Sequence, residues 1–314
     1  MGTQLKRIYS AVVILTLLCS LFLTGCGQAE SDSSLETTQT AETGYIPRED
    51  LQTILFMGLD KYEAPENEMG YLNDQQCDFL MLLILDENSR TIDVLHLNRD
   101  TMTEIRRLGI GGGVAGKFTG QLALGHTFGS GGSDSCLNVT KAVSKFLKGV
   151  KIDHYIAMTM TGVGKLNDRV GGVDVTIPVD MTSIDPAFQK GQTVHLEGEQ
   201  ALAFVRARAS LEDSSNLSRM ERQRLYLEQF YPSLLDHIRR EEDFTSQSLL
   251  ALSNDFRSDL TVNRLSEMAG EFADYQLQPF TTIDGEAVKG EEFMEFYADE
   301  DALNQVLIAL FCQN

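Results

Sequence analysis

Residues 79–97 read FLMLLILDENSRTIDVLHL, two apolar runs around a polar pentapeptide, and this stretch decides the fold class. Residues 79–85 and 91–97 are short and bounded by polar or turn residues, the pattern of buried or half-buried strands. The intervening Asp86-Glu87-Asn88-Ser89-Arg90 has the length of a hairpin loop. Upstream, residues 53–59 (TILFMGL) form a third run of the same kind. Downstream, residues 134–148 place Leu137, Ala142, Val143, Phe146 and Leu147 on one helical stripe, with Asp134 available as its cap. Strand-like stretches at 152–160 and 172–177 then flank a short helix at 162–170. This alternation predicts an α/β fold, a layered α/β/α domain whose central mixed sheet has helices on both faces. Helical patterns follow at 246–254 and 261–275, a strand at 277–283 and a last helix at 299–311; no internal repeat is visible.

At the amino terminus, Lys6 and Arg7 precede a largely apolar run over residues 8–23, a charged region followed by a hydrophobic one as in an export signal. Leu23-Thr24-Gly25-Cys26 follows and resembles the lipobox of bacterial lipoproteins, which implies cleavage after Gly25 and lipidation of Cys26. The alternative is an uncleaved anchor, since the span is near the lower limit of ~17 residues for crossing a bilayer. Either way the remainder lies on the outer face of the cytoplasmic membrane. Residues 26–45, rich in Ser, Thr and Glu, read as a flexible tether. The expected organisation is therefore a signal at 1–25, a tether at 26–45, a main domain at 46–240 and a helical, acidic extension at 241–314, packed on the domain or appended to it. The acid-rich end, from Asp284 to Asp301, reads as a solvated appendage.

The 314-residue chain has a formal net charge of −20. Residues 1–25 carry only Lys6 and Arg7 as charges, so the rest stands at −22. So acidic a chain argues against nonspecific binding to nucleic acid or to anionic lipid. Beyond Cys19 and Cys26 remain Cys77, Cys136 and Cys312, an odd number that cannot fully pair; a Cys77–Cys136 disulfide and three isolated thiols both fit.

Several motifs recur in one order: Asp78 at the head of a strand, Asn98-Arg99-Asp100-Thr101 at the end of the next, Lys151-Ile152-Asp153-His154-Tyr155, Leu166-Asn167-Asp168, and Gly171-Gly172-Val173-Asp174-Val175. Then come Leu196-x-Gly198-x-x-Ala201-Leu202-Ala203-Phe204-Val205-Arg206-x-Arg208 and Arg219-x-x-Arg222-Gln223. Over residues 50–232 the chain resembles the LytR-CpsA-Psr family of cell-wall glycopolymer transferases. The resemblance implies transfer of a phosphorylated glycan from a polyprenyl-pyrophosphate carrier to peptidoglycan, with a divalent cation, Mg²⁺ or Mn²⁺, at the pyrophosphate. On that reading Asp78, Arg99 and Asp100 are catalytic, Asp78 and Asp100 hold the metal, and Asp78 is the first candidate to take the acceptor's proton.

The chemistry asks for such residues on its own terms. A pyrophosphate spreads negative charge over several oxygens, which planar guanidiniums meet at two points and carboxylate-held metals neutralise. Arg206 and Arg208 share one side if the chain between them is extended. Ser218 and Glu221 form a plausible capping box, opening a helix that carries Arg219, Arg222 and Gln223 on one face near its positive end. The bland alternative for each arginine is a solvated face or a surface salt bridge; five basic residues between 206 and 224 weigh against it for the group. For Asp78 and Asp100 the alternative is strand-end capping, against which stands their place beside parallel runs of buried strand, where loops gather ligands. Arg99 points either at them or at phosphate. His96, His126 and His154 are not spaced as a metal set and read as structural. The tail of such a donor asks for a long apolar cavity between sheet and helices.

Two departures from the family pattern matter. Many members carry an arginine and a small hydroxyl residue before the first aspartate, where this chain has Gln76-Cys77-Asp78. The usual lysine-apolar-asparagine segment is here Lys117-Phe118-Thr119, followed by a glycine-rich loop containing His126 and Phe128. A non-catalytic protein that holds polyprenyl-phosphate lipids or wall glycans is therefore the alternative function. A transcription regulator is disfavoured, since an exported chain this acidic, without a basic recognition helix, has no access to DNA.

Overall fold

The computed structural model describes residues 48–61, 75–208, 213 and 215–312; the signal, Cys26 and the tether lie outside the described residues. β1 (Leu51–Leu59), β2 (Cys77–Asp86) and β3 (Thr91–Leu97) form an antiparallel meander. The β2–β3 turn is set by Asp86, whose Oδ1 accepts from the backbone amides of Asn88 and Ser89 at 2.9 and 3.1 Å. β6 (His154–Met158) pairs parallel to β1, β9 (Phe256–Ser258) antiparallel to β6, and β10 (Gln276–Thr281) parallel to β3, giving a mixed six-stranded sheet in the order β10-β3-β2-β1-β6-β9.

Alternation along β2 builds both sides of this sheet. Leu80, Leu82 and Ile84 pack with Leu55 and Met57 of β1 against α2 (Gly132–Phe146) and α8 (Glu300–Phe311). Met81 and Leu85 point the other way, with Ile54, Val94, and Met268 and Phe272 of α7 (Val262–Phe272), where Leu227 and Tyr231 of α5 (Asn216–Arg240) join them. These are the layers expected from the sequence. A second core forms where α4 (Gly198–Arg206) and α5 meet the small β7 (Val173–Thr176) and β8 (Thr193–Leu196) hairpin, around Phe188, Phe204 and Phe230. α3 (Met160–Arg169) closes the helical layer on that side, and α1 (Leu124–Thr127) and α6 (Phe244–Ala251) are short connectors.

Two local expectations are corrected, and one hairpin was not foreseen. Asp134 does not cap α2: the N-cap is Gly131, and the Asp134 carboxylate accepts from Ser130 Oγ at 2.7 Å. Residues 102–121, with little apolar periodicity, form a hairpin of β4 (Met102–Leu108) and β5 (Val114–Gln121). The acid-rich end is not a mere appendage. β11 (Gly285–Lys289) is exposed throughout, but β12 (Met294–Ala298) buries Phe296, whose amide donates to the carbonyl of Asp100 at 2.9 Å. Residues after 240 also supply β9 and β10, both edges of the central sheet. Cys77 and Cys136 are free and buried, and burial pushes both thiols up, Cys136 to about 12.

Candidate active site

The antiparallel register that pairs Leu80 with Leu97 brings the start of β2 beside the end of β3, so Asp78 and Arg99 meet. This corrects the expectation of parallel strands around the two aspartates. Arg99 Nη1 pairs with Asp78 Oδ1, its Nη2 donates to Gln76 Oε1 at 2.9 Å, and its Nε donates to Asp100 Oδ1 at 3.0 Å. One guanidinium thus ties both carboxylates together. Arg219 reaches the same group from α5: its Nη1 donates to Asp78 Oδ2 at 3.0 Å and its Nη2 to the Asp78 carbonyl at 3.2 Å.

Sequence reasoning missed the supports of this cluster. Asn216 Oδ1 accepts from Arg219 Nη2 at 2.6 Å and Nε at 3.1 Å, while its amide donates to Asn98 Oδ1 at 2.7 Å. Asn98 Oδ1 also accepts the Asp100 backbone N–H at 3.0 Å. Gln121 Nε2, at the end of β5, donates to Asp100 Oδ1 at 2.9 Å and to the Met294 carbonyl at 2.6 Å. Asn98 lies inside a quoted motif, but nothing in the local sequence around Gln121 or Asn216 marks them.

α5 begins one turn earlier than expected. Its N-cap is Ser215, whose Oγ accepts from the Ser218 amide at 3.1 Å. Ser218 is therefore inside the helix, where its hydroxyl takes Arg222 Nη1 at 2.8 Å, and Glu221 pairs with Arg224 rather than closing a capping box. The expectation that Arg222 meets phosphate is corrected with it. Arg222 is buried, only 1% exposed, and its Nη2 donates to the carbonyl of Ala207, which pins the segment between Arg206 and Arg208. Gln223 does likewise at Val205, at 3.3 Å, while its side chain also borders a cavity.

That cavity lies between the sheet and α3, α4 and α5. Its mouth carries Asp78, Arg206, Arg219 and Gln223; its walls are Phe56, Gly58, Phe79 and Met158 from strands, and Val163, Leu166, Leu227 and Phe230 from helices. Gly58 is needed there, since a Cβ would stand 2.9 Å from that of Phe79. Arg219 and Phe230 are eleven residues apart on α5, so the lining runs about 16 Å along that helix. Arg99, Asp100, Arg208 and Arg222 do not line it.

The guanidiniums crowd one another. Burial lowers the Arg219 pKa, and Arg99 and Arg208 lower it further; Arg99 is lowered by burial and by Arg208. An incoming anion would relieve that repulsion. His96 and His126 are buried and held neutral, each pushed down to about 4 mainly by burial, and His154 faces Asp259 at 2.9 Å. Among the described residues no three His, Cys, Asp or Glu side chains converge as a metal site. The hard oxygens of Asp78 and Asp100 suit Mg²⁺ or Mn²⁺, but Arg99 spans them, so a cation fits only with oxygens from a phosphate ligand and with Arg99 turned towards that ligand.

A family model described as the LytR_cpsA_psr family matches residues 21–310. A polyisoprenyl-teichoic acid–peptidoglycan teichoic acid transferase, TagU of Bacillus mycoides, is 28% identical over 84% of this chain and 79% of its own length. The protein of the same name from Bacillus cereus is 30% identical over 73% of this chain and 70% of its own. Among solved structures, Bacillus subtilis TagV superposes with a TM-score of 0.62 at 23% identity, over 84% of this chain and 96% of that one, a likeness of fold.

Proposed function

Because the chain belongs to the LytR-CpsA-Psr family, we propose that it moves a phosphorylated glycan from a polyprenyl-pyrophosphate carrier to peptidoglycan outside the cytoplasmic membrane. The transferase names of its relatives agree with that reading. The observation that carries it is the meeting of Asp78, Arg206 and Arg219 at the mouth of a 16 Å apolar cavity, since pyrophosphate and polyprenyl tail require those two environments joined.

In the proposed reaction an acceptor sugar hydroxyl attacks the glycan-proximal phosphorus in line. A new phosphorus–oxygen bond forms, the bond to the bridging pyrophosphate oxygen breaks, and polyprenyl phosphate leaves. Arg99, Arg206, Arg208 and Arg219 neutralise charge gathering on phosphate oxygens, with Gln223 as an amide donor. As Arg99 and Arg219 turn to the phosphates, the Asp78 carboxylate is released to take the hydroxyl proton. Arg222 acts at one remove, fixing the Ala207 carbonyl. Asp78 and Asp100 would hold Mg²⁺ or Mn²⁺, which when bound supplies further charge neutralisation at the pyrophosphate. Cys26 supplies the lipid anchor, so that Cys26→Ala leaves an unlipidated precursor; unchanged labelling with a fatty-acid analogue would contradict this.

The test is incubation with a defined polyprenyl-pyrophosphate glycan and peptidoglycan oligomers. Phosphoglycan on the oligomer together with free polyprenyl phosphate is the expected result. Lipid bound without turnover would favour a holding protein, the reading to which Gln76 in place of an arginine lends weight.

A further inference from the structure

The acidity of the chain is not evenly spread. Residues 102–151, which form the β4–β5 hairpin, α1 and α2, hold seven Lys and Arg against only Glu104 and Asp134, within a chain of net charge −20. On α2 the outward stripe at four-residue spacing is Leu137, Lys141 and Lys145, all exposed, with Leu137 at 44%, so that Leu137 does not share the buried face of Ala142, Val143 and Leu147 with which the sequence grouped it.

The hairpin adds hydrocarbon to this stripe. Its connection reads Gly109-Ile110-Gly111-Gly112-Gly113-Val114, and Ile110 is 74% exposed, Val114 53%. A Cβ on Gly112 would lie 2.8 Å from Asp134 Oδ2, so the tip rests on the first turn of α2, one turn before Leu137. Farther down, Arg106 Nε donates to Asn138 Oδ1 at 3.3 Å and the Asn138 amide returns a bond to the Arg106 carbonyl at 2.9 Å, which lays the hairpin along the helix. Exposed aliphatic groups and a row of ammonium groups therefore share one neighbourhood, and the catalytic reading uses neither.

We propose that this face, the β4–β5 tip with the outward stripe of α2, docks onto an anionic phospholipid surface, Ile110 entering the interface and Lys141 and Lys145 meeting headgroup phosphates. A soluble polyanion would pair with the lysines but leave Ile110 and Val114 in water. A lipid surface satisfies both, since cations attract anionic headgroups while apolar side chains gain by leaving water at the boundary. Glycines around Ile110 leave no neighbouring bulk to hinder its entry. The whole-chain charge, which argues against anionic lipid, is thus overridden locally within a Debye length of about 8 Å.

The chain contains no tryptophan, so one introduced at the tip reports alone. Ile110→Trp and, as a control on an exposed leucine of another element, α6, Leu250→Trp (64% exposed) are made in the full chain. Each is mixed with phosphatidylcholine vesicles with or without phosphatidylglycerol, carrying brominated acyl chains. The expected result is a blue-shifted, bromine-quenched emission for Trp at 110 on anionic vesicles only, with Trp at 250 unchanged. Lys141→Glu or Lys145→Glu should then lower the anionic-vesicle partition by about fivefold or more. Equal emission and quenching at 110 and 250 would overturn the proposal. So would a response of Trp at 110 to soluble polyphosphate with no quenching by lipid. Flotation on neutral vesicles reads the Cys26 anchor separately, so its failure leaves the proposal standing or falling on the anionic arm.

Discussion

At the mouth of the cavity Asp78 and Arg219 are paired, and Asp78 is tied in turn to Arg99 outside the lining, whereas Phe230, some 16 Å along α5 from Arg219, presents hydrocarbon, as Val163 and Leu166 do from α3. The mouth holds charges out of water and is therefore costly to the fold unless every one is matched. The far end costs little and, without a tail in it, contributes little. A fold selected for stability alone has no reason to join these two environments, and a ligand that is anionic at one end and apolar along its length gives one.

The largest effect should come from unbalancing the mouth. Asp78→Ala leaves Arg99 with Asp100 but Arg219 with only neutral acceptors, Asn216 Oδ1 and the carbonyl of residue 78, among like charges, and breaking a buried pair this way costs about 3–5 kcal/mol. Chemical denaturation should show that loss; a change under 1 kcal/mol would mean that the mouth is more hydrated than its burial implies.

His96 lies under the mouth, its ring 4.9 Å from that of Phe79, and burial with the Arg219 charge holds its pKa at about 4. The unfolded chain takes up this proton near pH 6.5 and the folded one only near pH 4, so stability is complete above about 6.5 and falls as pH drops through that window. At ~1.4 kcal/mol per pH unit the fall approaches ~3 kcal/mol. His96→Leu should remove that part of the slope, while His126, shifted the same way, keeps its own; an unaltered slope would contradict the assignment.

Arg222→Lys separates a phosphate contact from a scaffold. Because Arg222 is buried and bonds the Ala207 carbonyl and Ser218, the substitution should destabilise the fold by about 1–3 kcal/mol, the cost of unsatisfied buried groups. Arg239→Lys, at 49% side-chain exposure on the same helix, should cost less. Loss of lipid-pyrophosphate binding without any loss of stability at Arg222 would restore it to the phosphate site.

The smallest effect probes the far end. Val163→Phe fills space without touching a charge, and should weaken a long-tailed polyprenyl pyrophosphate about tenfold, ~1.4 kcal/mol, while leaving inorganic pyrophosphate unchanged. Equal weakening of both would deny that the two ends act separately.

Much of this was legible in the sequence and some was not, for physical reasons. The β1–β3 meander announces itself because β1 and β2 are buried on both faces, so the runs at 53–59 and 79–85 are almost purely apolar, while 91–97 keeps Ile92, Val94, Leu95 and Leu97 buried between polar residues. β4 and β5 escape notice because one face of each is wet and glycines replace side chains at the tip. The start of α5 is ambiguous in Ser214-Ser215-Asn216-Leu217-Ser218, where three serines could cap and only packing selects Ser215. The motifs named Asp78, Arg99 and Arg219, but their mutual bonds follow from antiparallel register and from a helix 141 residues later in the chain. Gln121 and Asn216 were invisible for that reason: their role is set by what faces them in space.

The claim that one cavity joins a guanidinium mouth to an apolar lining is tested most directly by equilibrium binding of three ligands: a long polyprenyl pyrophosphate, the polyprenol of equal length and inorganic pyrophosphate. The two-ended site predicts that the first binds at least about a hundredfold more tightly than either of the others, ~2.7 kcal/mol, with Arg219→Ala erasing the advantage over the polyprenol. Polyprenol binding as tightly as its pyrophosphate, or indifference to Arg219→Ala, would contradict it.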